Sequence, residues 1–362
     1  MKKKLMIVAA ALLAATAMAA GIRPFADRER VAFLGDSITA FNHYIAEVQL
    51  YMDCARGAKA PYFMNCGTAG DGVWGAQDRI DCDLMTMRPD RVIVMLGMND
   101  NGYDSWKSPD YTPFMRKRHE QRRDAYKRGM TALVEKLIAH GLKVDIMTPS
   151  PYDEYSTDLK RPAYTNANEV GLADFAEVCR KIAAEKGLGL VEIHRPMTAV
   201  EKNRRTGLHY SGSDRVHPGA GGNRFIAAAV LAAAGEVPDF ALTPDGVEAL
   251  FAKDDKMQAL RKALAPVRKE MERIRALVYC DRFVKGMTGK EVDLADIAPA
   301  AAAVVKWVDG ELAKGTDPAR AARLKDIRAT YASVRVQVPA LQRDLEALHR
   351  KVAGDLVNRH GP

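Results

Sequence analysis

Short apolar runs alternate with helical stretches along residues 31–234. The apolar runs, which we predict to be strands, cover residues 31–34, 62–65, 91–96, 142–148 and 188–193. The stretches with apolar residues at helical spacing cover 44–55, 124–140, 169–186 and 219–234. Strands that alternate with helices are typically parallel, and the helices then cover both faces of the sheet. The alternation therefore predicts an α/β domain with a parallel sheet between two helical layers.

The pattern changes after about residue 238. Beyond this point strand patterns are absent, and apolar residues recur every three or four positions along 257–278 and 324–352. Heptad runs of this length predict paired long helices, as in a coiled coil. At 362 residues the chain is also longer than a single core usually allows. We therefore expect an α/β domain at 22–238 and an all-helical C-terminal appendage at 239–362, a hairpin or a three-helix bundle. The alternative is that these helices pack on the α/β domain.

Residues 1–19 have the organisation of a signal peptide. A lysine-rich start at 2–4 precedes an apolar stretch at 5–15, and an Ala-Met-Ala cleavage site follows at 17–19. The apolar stretch is too short to span a bilayer comfortably, and no later stretch is apolar enough to do so. We therefore expect an exported protein, periplasmic or secreted, with no integral membrane segment after cleavage.

The distribution of charge argues against a nucleic-acid partner, and the spacing of possible metal-ligating residues argues against a bound metal. The net charge of +8 includes the three lysines of the predicted signal peptide, so the remaining balance is 51 minus 46, or +5, which is mild for this length, and basic residues are interspersed with acidic ones. A nucleic-acid-binding domain concentrates its basic residues on one face or in one stretch, so we expect no nucleic-acid partner. The sequence has no cluster of ligands with metal-site spacing. We therefore expect no metal and no cofactor.

Four short blocks follow one another within the α/β region. They are Gly35-Asp-Ser-Ile38, Asn65-Cys-Gly-Thr-Ala-Gly-Asp71, Leu96-Gly-Met-Asn-Asp100 and Asp214-Arg-Val-His-Pro218. A single Gly-Asp-Ser is usually only a turn, but the four blocks in this order resemble the SGNH (GDSL-type) hydrolase superfamily. The resemblance implies a three-layer α/β/α, flavodoxin-like fold for this region. In that superfamily the blocks supply Ser, Gly, Asn and His, which here are Ser37, Gly70, Asn99 and His217.

The residues themselves support a nucleophile and its base. Ser37 follows a predicted buried strand, so its hydroxyl is expected at the carboxyl edge of the sheet, where open α/β folds bind ligands. A serine hydroxyl becomes a nucleophile when a base lies within hydrogen-bond reach. His217 is the best candidate because Asp214, three residues earlier, can fix the tautomer of its imidazole. A histidine before a proline is otherwise often a turn residue. We predict that Ser37, Asp214 and His217 are catalytic.

Attack on an ester creates negative charge on the carbonyl oxygen, and preorganised hydrogen-bond donors stabilise this charge. The resemblance assigns such an oxyanion hole to the backbone N–H groups of Ser37 and Gly70 and to the side-chain amide of Asn99. The residue types suit this role, because glycine lets the backbone approach closely and an amide donates without carrying a charge. We expect Asp36 and Asp100, which adjoin the blocks, to hold loops by hydrogen bonds.

A long polar segment at 101–119 carries several aromatic residues. Long loops in compact domains are usually functional, and flat rings pack on the faces of sugars. We therefore predict that Tyr103 and Trp106 contact substrate, together with Trp74 after the second block. The alternative is a solvated insertion. A second loop at 152–165 is expected to form another rim of the site.

The blocks, the export signal and the aromatic loops together predict an exported serine esterase that removes acyl groups, preferably acetyl, from a carbohydrate. The expected partner is a small ester or an acylated glycan. Alternatives within the same superfamily are a lipase or lysophospholipase, a thioesterase and an acyltransferase. A non-catalytic binding or scaffold protein is a further alternative, because the helical appendage resembles a module for self-association or for a protein partner.

Overall fold

A computed structural model describes residues 21–41, 43–106, 111–157, 159–203, 212–237 and 242–251 of the chain. Short helical pieces of the C-terminal region are also described, at 258–260, 262–263, 309, 313, 346–347 and 349–351. The predicted signal peptide and most of the predicted helical appendage lie outside the described residues. Within these ranges, no helix combines the length and the apolar character needed to cross a bilayer.

The described elements form an alternating series of strands and helices. The strands are β1 (Arg30–Gly35), β2 (Tyr62–Gly67), β3 (Arg91–Met95), β4 (Lys143–Met147) and β5 (Gly189–Val191). The α-helices are α1 (Ser37–Ala40), α2 (His43–Arg56), α3 (Val73–Asp78), α4 (Met98–Asn101), α5 (Pro113–Ala139), α6 (Ala173–Lys186), α7 (His194–Lys202), α8 (Ala220–Ala233) and α9 (Pro244–Leu250). Short 3₁₀ or π segments cover Gly57–Lys59, Ile80–Leu84, Met85–Met87, Tyr103–Trp106 and Ala167–Leu172.

The strands form one parallel sheet in the order β2-β1-β3-β4-β5. Alternate residues of β1 face opposite sides of this sheet. Val31 and Phe33 pack in one apolar cluster with α2 and α8, whereas Ala32 and Leu34 pack in another cluster with α3, α5 and α6. Because helices cover both faces, the strand is apolar at every one of these positions rather than at alternate ones. The predicted three-layer α/β/α, flavodoxin-like fold is confirmed.

The structure corrects the loop predicted at 101–119. Helix α5 begins at Pro113, well before the predicted start at residue 124, and the side chain of Thr112 caps it by accepting a hydrogen bond from Met115 N at 3.2 Å. Proline suits the first helical position because its missing N–H would have no partner there. Residues in the first turns of α5 are mostly exposed, so no apolar periodicity marks them as helical. The prediction of a loop was therefore wrong from Pro113 onward.

A buried arginine joins the carboxyl ends of β1 and β2. The side chain of Arg79 is 1% exposed and donates to the carbonyl oxygens of Gly35 at 3.0 Å and Cys66 at 2.6 Å. Its guanidinium also binds the carboxylates of Asp71 at 2.6 Å and Asp83 at 2.5 Å. These bonds compensate the buried charge and hold the loops that follow the two strands.

One described piece of the C-terminal region packs on the α/β domain. His349 Nε2 lies 3.0 Å from Asp53 Oδ1 of α2, and both side chains are buried. Glu346 forms an ion pair with Arg30 at the start of β1. The piece therefore rests on the sheet domain, in line with the alternative stated above. The helical appendage at 239–362 and the domain boundary near residue 238 stay predictions.

We expect Arg79→Met to lower the free energy of unfolding by about 3–5 kcal/mol, because two buried carboxylates would lose their cation. These carboxylates belong to Asp71 and Asp83, which are 4% and 6% exposed. Urea denaturation followed by circular dichroism measures the change. In a matched control, Arg123→Met removes exposed pairs with Asp124 and Asp174 and should cost less than about 1 kcal/mol. If Arg79→Met lowers the free energy of unfolding no more than this control does, the contacts of Arg79 do not stabilise the fold.

Candidate active site

Ser37 is the first residue of α1, directly after the sharp turn that follows β1. Gly35 ends the strand, and a Cβ at this position would lie 2.1 Å from Thr39 Oγ1, so the close approach of α1 requires glycine. Asp36 caps α1, because its Oδ1 accepts a hydrogen bond from Ile38 N at 2.9 Å. The tight turn thereby presents Ser37 at the carboxyl edge of the sheet.

His217 connects Ser37 with Asp214. Its Nε2 lies 2.8 Å from Ser37 Oγ, and its Nδ1 lies 2.5 Å from Asp214 Oδ2. The other carboxylate oxygen, Asp214 Oδ1, accepts hydrogen bonds from the backbone N–H groups of Val216 at 3.0 Å and His217 at 2.9 Å. Both oxygens of Asp214 therefore orient the imidazole and direct Nε2 at the serine. This is the arrangement in which a histidine can take the proton of a serine hydroxyl.

The surroundings of Asp214 keep its carboxylate ionised. Partial burial acts to raise the pKa of this carboxyl group, but hydrogen bonds from the His217 side chain and from the N–H groups of His217 and Val216 outweigh it, so the pKa lies below its ordinary value. A carboxylate that is charged at neutral pH stabilises a proton on the adjacent imidazole. His217 is therefore suited to carry the proton that Ser37 would give up.

A second buried arginine fixes the loop that carries Asp214 and His217. Arg215 is 2% exposed, and its φ of +69° lies in the left-handed region that few non-glycine residues adopt. Its guanidinium donates to three backbone carbonyl oxygens within residues 153–161, at distances from 2.6 to 3.1 Å. Arg215 is absent from the residues predicted from sequence to matter at the site. The signal that could have found it was its place between two predicted catalytic residues.

Gly70 and Asn99 lie beyond the strands on either side of β1. Gly70 follows β2 with a φ of +76°, a conformation that strains any residue with a side chain and therefore accounts for glycine. Asn99 lies in α4 after β3, and its Nδ2 donates to the carbonyl oxygen of Asp71 at 2.8 Å. A side-chain amide has two N–H donors, so one of them ties the two loops together. Because β2, β1 and β3 are neighbours, the loops of Ser37, Gly70 and Asn99 meet at one edge of the sheet.

Two buried carboxyl groups beside the site hold its loops. Asp36 caps α1, and Asp100 Oδ1 accepts a hydrogen bond from Val73 N at 3.0 Å. Burial is the main cause that raises the pKa of Asp36 to about 7, and the charges of Asp100 and Asp71 add to it. Burial likewise raises the pKa of Asp100 to about 6. Both groups contact backbone N–H groups, which is the role expected from their place next to the blocks.

The three aromatic residues predicted to contact substrate differ in how far each is exposed to solvent. Trp106 is 3% exposed and packs edge-on against His119, so its indole lies inside the protein, which argues against the predicted contact with substrate. Tyr103 is partly buried and stacks on Tyr152, with ring centroids 6.0 Å apart. Trp74 is 53% exposed near the start of α3. Contacts of Tyr103 and Trp74 with a substrate stay predictions.

Across the described ranges, the His, Cys, Asp and Glu side chains form no group of three or more that could hold a metal ion. The expectation of metal-independent chemistry stays a prediction.

Comparison with known proteins finds relatives in sequence and in structure. A sequence profile of the GDSL-like Lipase/Acylhydrolase family matches residues 33–225. An acetylxylan esterase from Geobacillus stearothermophilus is 25% identical over 218 residues, which cover 56% of this chain and 92% of that protein. Among solved structures, a gut microbial diltiazem-metabolizing enzyme has a TM-score of 0.70 at 16% identity and covers 93% of this chain and 96% of that one. An acetyl xylan esterase structure has a TM-score of 0.45 at 23% identity and covers 56% of this chain and 98% of that one.

The alignment with the diltiazem-metabolizing enzyme extends beyond the region of the family match. The family match itself spans the four blocks, from the strand before Ser37 to the helix after His217. The resemblance to the SGNH (GDSL-type) hydrolases is thereby confirmed. The chain belongs to the GDSL-like lipase/acylhydrolase family, and it is a carboxylic ester hydrolase.

Proposed function

We propose that this protein is an exported serine esterase that removes acyl groups, preferably acetyl, from a carbohydrate. The observation that carries the proposal is the position of His217, 2.8 Å from the hydroxyl of Ser37 and 2.5 Å from the carboxylate of Asp214. The similarity to an acetylxylan esterase supports the acetyl group and the carbohydrate. The signal-peptide pattern at 1–19 supports export.

The proposed reaction begins with attack of Ser37 Oγ on the ester carbonyl carbon. His217 Nε2 takes the hydroxyl proton as the new C–O bond forms, and Asp214 stabilises the imidazolium. Negative charge builds on the former carbonyl oxygen, which accepts hydrogen bonds from the N–H groups of Ser37 and Gly70 and from the second amide N–H of Asn99. When the tetrahedral intermediate collapses, the bond to the alcohol oxygen breaks and His217 gives that oxygen its proton.

Hydrolysis of the acyl-serine uses the same groups in reverse. A water molecule loses a proton to His217 Nε2 as its oxygen attacks the acyl carbon, and the same donors stabilise the second oxyanion. Collapse of this intermediate breaks the bond to Ser37 Oγ, which recovers its proton from His217. For an acetyl ester, the products are the free alcohol and acetic acid, which ionises to acetate.

A panel of esters tests the proposed substrate class. The protein should release acetate from acetylated xylan or xylo-oligosaccharides, and its kcat/KM on p-nitrophenyl esters should fall from acetyl to octanoyl. A steady rise with chain length would instead indicate an acyl pocket of the lipase, lysophospholipase or thioesterase kind. Fractionation of producing cells tests export, because the protein should occur outside the cytoplasm without residues 1–19. An intact N-terminus in the cytoplasm would contradict export.

We expect Ser37→Ala and His217→Ala each to lower kcat by at least about 10⁴-fold, because the first lacks the nucleophile and the second lacks its base. Hydrolysis of p-nitrophenyl acetate measures the loss, and circular dichroism shows that the variants fold. The matched control is His140→Ala, since His140 also pairs with a carboxylate, that of Asp81 at 3.0 Å, at the C-terminal end of α5. If a folded variant of Ser37 or His217 keeps more than a tenth of the activity, that residue is not part of the mechanism.

We expect Asn99→Ala to lower kcat by about 10²–10³-fold with little change in KM, because its amide donates mainly to the charged oxygen of the transition state. Steady-state kinetics on p-nitrophenyl acetate separates the two parameters. Asn203→Ala, at the exposed C-terminal end of α7, is the control and should change neither. A higher KM with unchanged kcat would make Asn99 a group that binds the ground state.

A further inference from the structure

Phe41 is an exposed aromatic residue that packs on the candidate catalytic base. It directly follows α1, and its N–H donates to the carbonyl oxygen of Ser37 at 3.0 Å. Its ring centroid lies 4.9 Å from that of the His217 imidazole, with an interplanar angle of 48°. The residue is nevertheless 51% exposed. Phe41 therefore borders the imidazole on one side and solvent on the other.

The proposed reaction determines which half of the ester lies next to the ring of Phe41. The carbonyl oxygen points toward the donors of Gly70 and Asn99, in the loops that follow β2 and β3. The alcohol oxygen has to come within hydrogen-bond reach of His217 Nε2, because that atom gives it a proton. The group attached to the alcohol oxygen therefore leaves along the imidazole, on which Phe41 packs.

We infer that Phe41 is the contact surface for the alcohol half of the ester and favours a cyclic alcohol such as a sugar ring. This inference rests on the proposed function, because it requires His217 to protonate the leaving oxygen. The C–H groups on the face of a sugar ring pack on an aromatic ring and remove apolar surface from water. A small linear alcohol covers little of that surface. Phe41 thus sets specificity toward the alcohol, and the acyl group is bound elsewhere.

Two acetate esters that differ only in their alcohol test this inference. Ethyl acetate and an acetylated methyl xyloside both transfer an acetyl group to Ser37. We expect Phe41→Ala to lower kcat/KM for the acetylated xyloside about tenfold, chiefly through a higher KM. The kcat/KM for ethyl acetate should change less than about twofold. Phe41→Trp keeps an aromatic surface and should preserve the preference for the xyloside. Phe114→Ala is the matched control, since Phe114 is 72% exposed in the first turn of α5, and it should change neither rate.

The possible outcomes separate this inference from the proposed function. Equal losses on both esters, or a shifted pH profile of kcat, would show that Phe41 only positions His217, and would overturn the inference. Unchanged rates on both esters would overturn it as well. If the wild-type protein hydrolyses neither ester, the proposed function itself fails. Circular dichroism of each variant checks that the lost activity is not lost folding.

Discussion

The hydrogen bonds of Arg79 hold the sheet edge on which the candidate site is built. Where a strand ends, its last carbonyl groups leave the ladder and need other partners. The buried guanidinium supplies donors to Gly35 and Cys66 at the ends of β1 and β2, and it binds the carboxylate of Asp71. The carbonyl oxygen of Asp71 in turn accepts the amide of Asn99. One chain of contacts therefore runs through the loops that follow β1, β2 and β3, and it fixes the nucleophile relative to the proposed oxyanion donors.

Arg215 is a second buried arginine, and it holds the loop that carries Asp214 and His217. Its guanidinium binds backbone carbonyl oxygens of the segment after β4, and its own carbonyl oxygen accepts from Asp153 N at 3.0 Å. The loop that presents Asp214 and His217 is thereby attached to the segment after β4, and the three bonds from the guanidinium are strong because their donor is charged. The geometry of the candidate triad thus depends on two arginines, neither of which touches the hydroxyl of Ser37.

The sequence predicted the strands well, for a physical reason. A strand covered on both faces is largely apolar, so β1 to β5 lie in separate apolar runs of the sequence, and the residues just beyond them collect at one edge of the sheet. The supporting arginines could not be predicted in this way. From sequence alone, an arginine in a polar stretch is expected to be exposed. Arg79 is buried because the ends of two strands and Asp83 come together around it. Trp106 shows the same limit, since its indole is buried against His119 of α5, a contact that no sequence pattern indicates.

The most direct test of the central claim is the position at which a serine-directed fluorophosphonate modifies the protein. Such a reagent reacts quickly with a hydroxyl that a neighbouring base activates. Peptide mass spectrometry should find one adduct, on the peptide that carries Ser37, and the rate of labelling should fall sharply in His217→Ala. An adduct on a different residue, or labelling of Ser37 at the same rate without His217, would contradict the assignment of Ser37 and His217 as nucleophile and base.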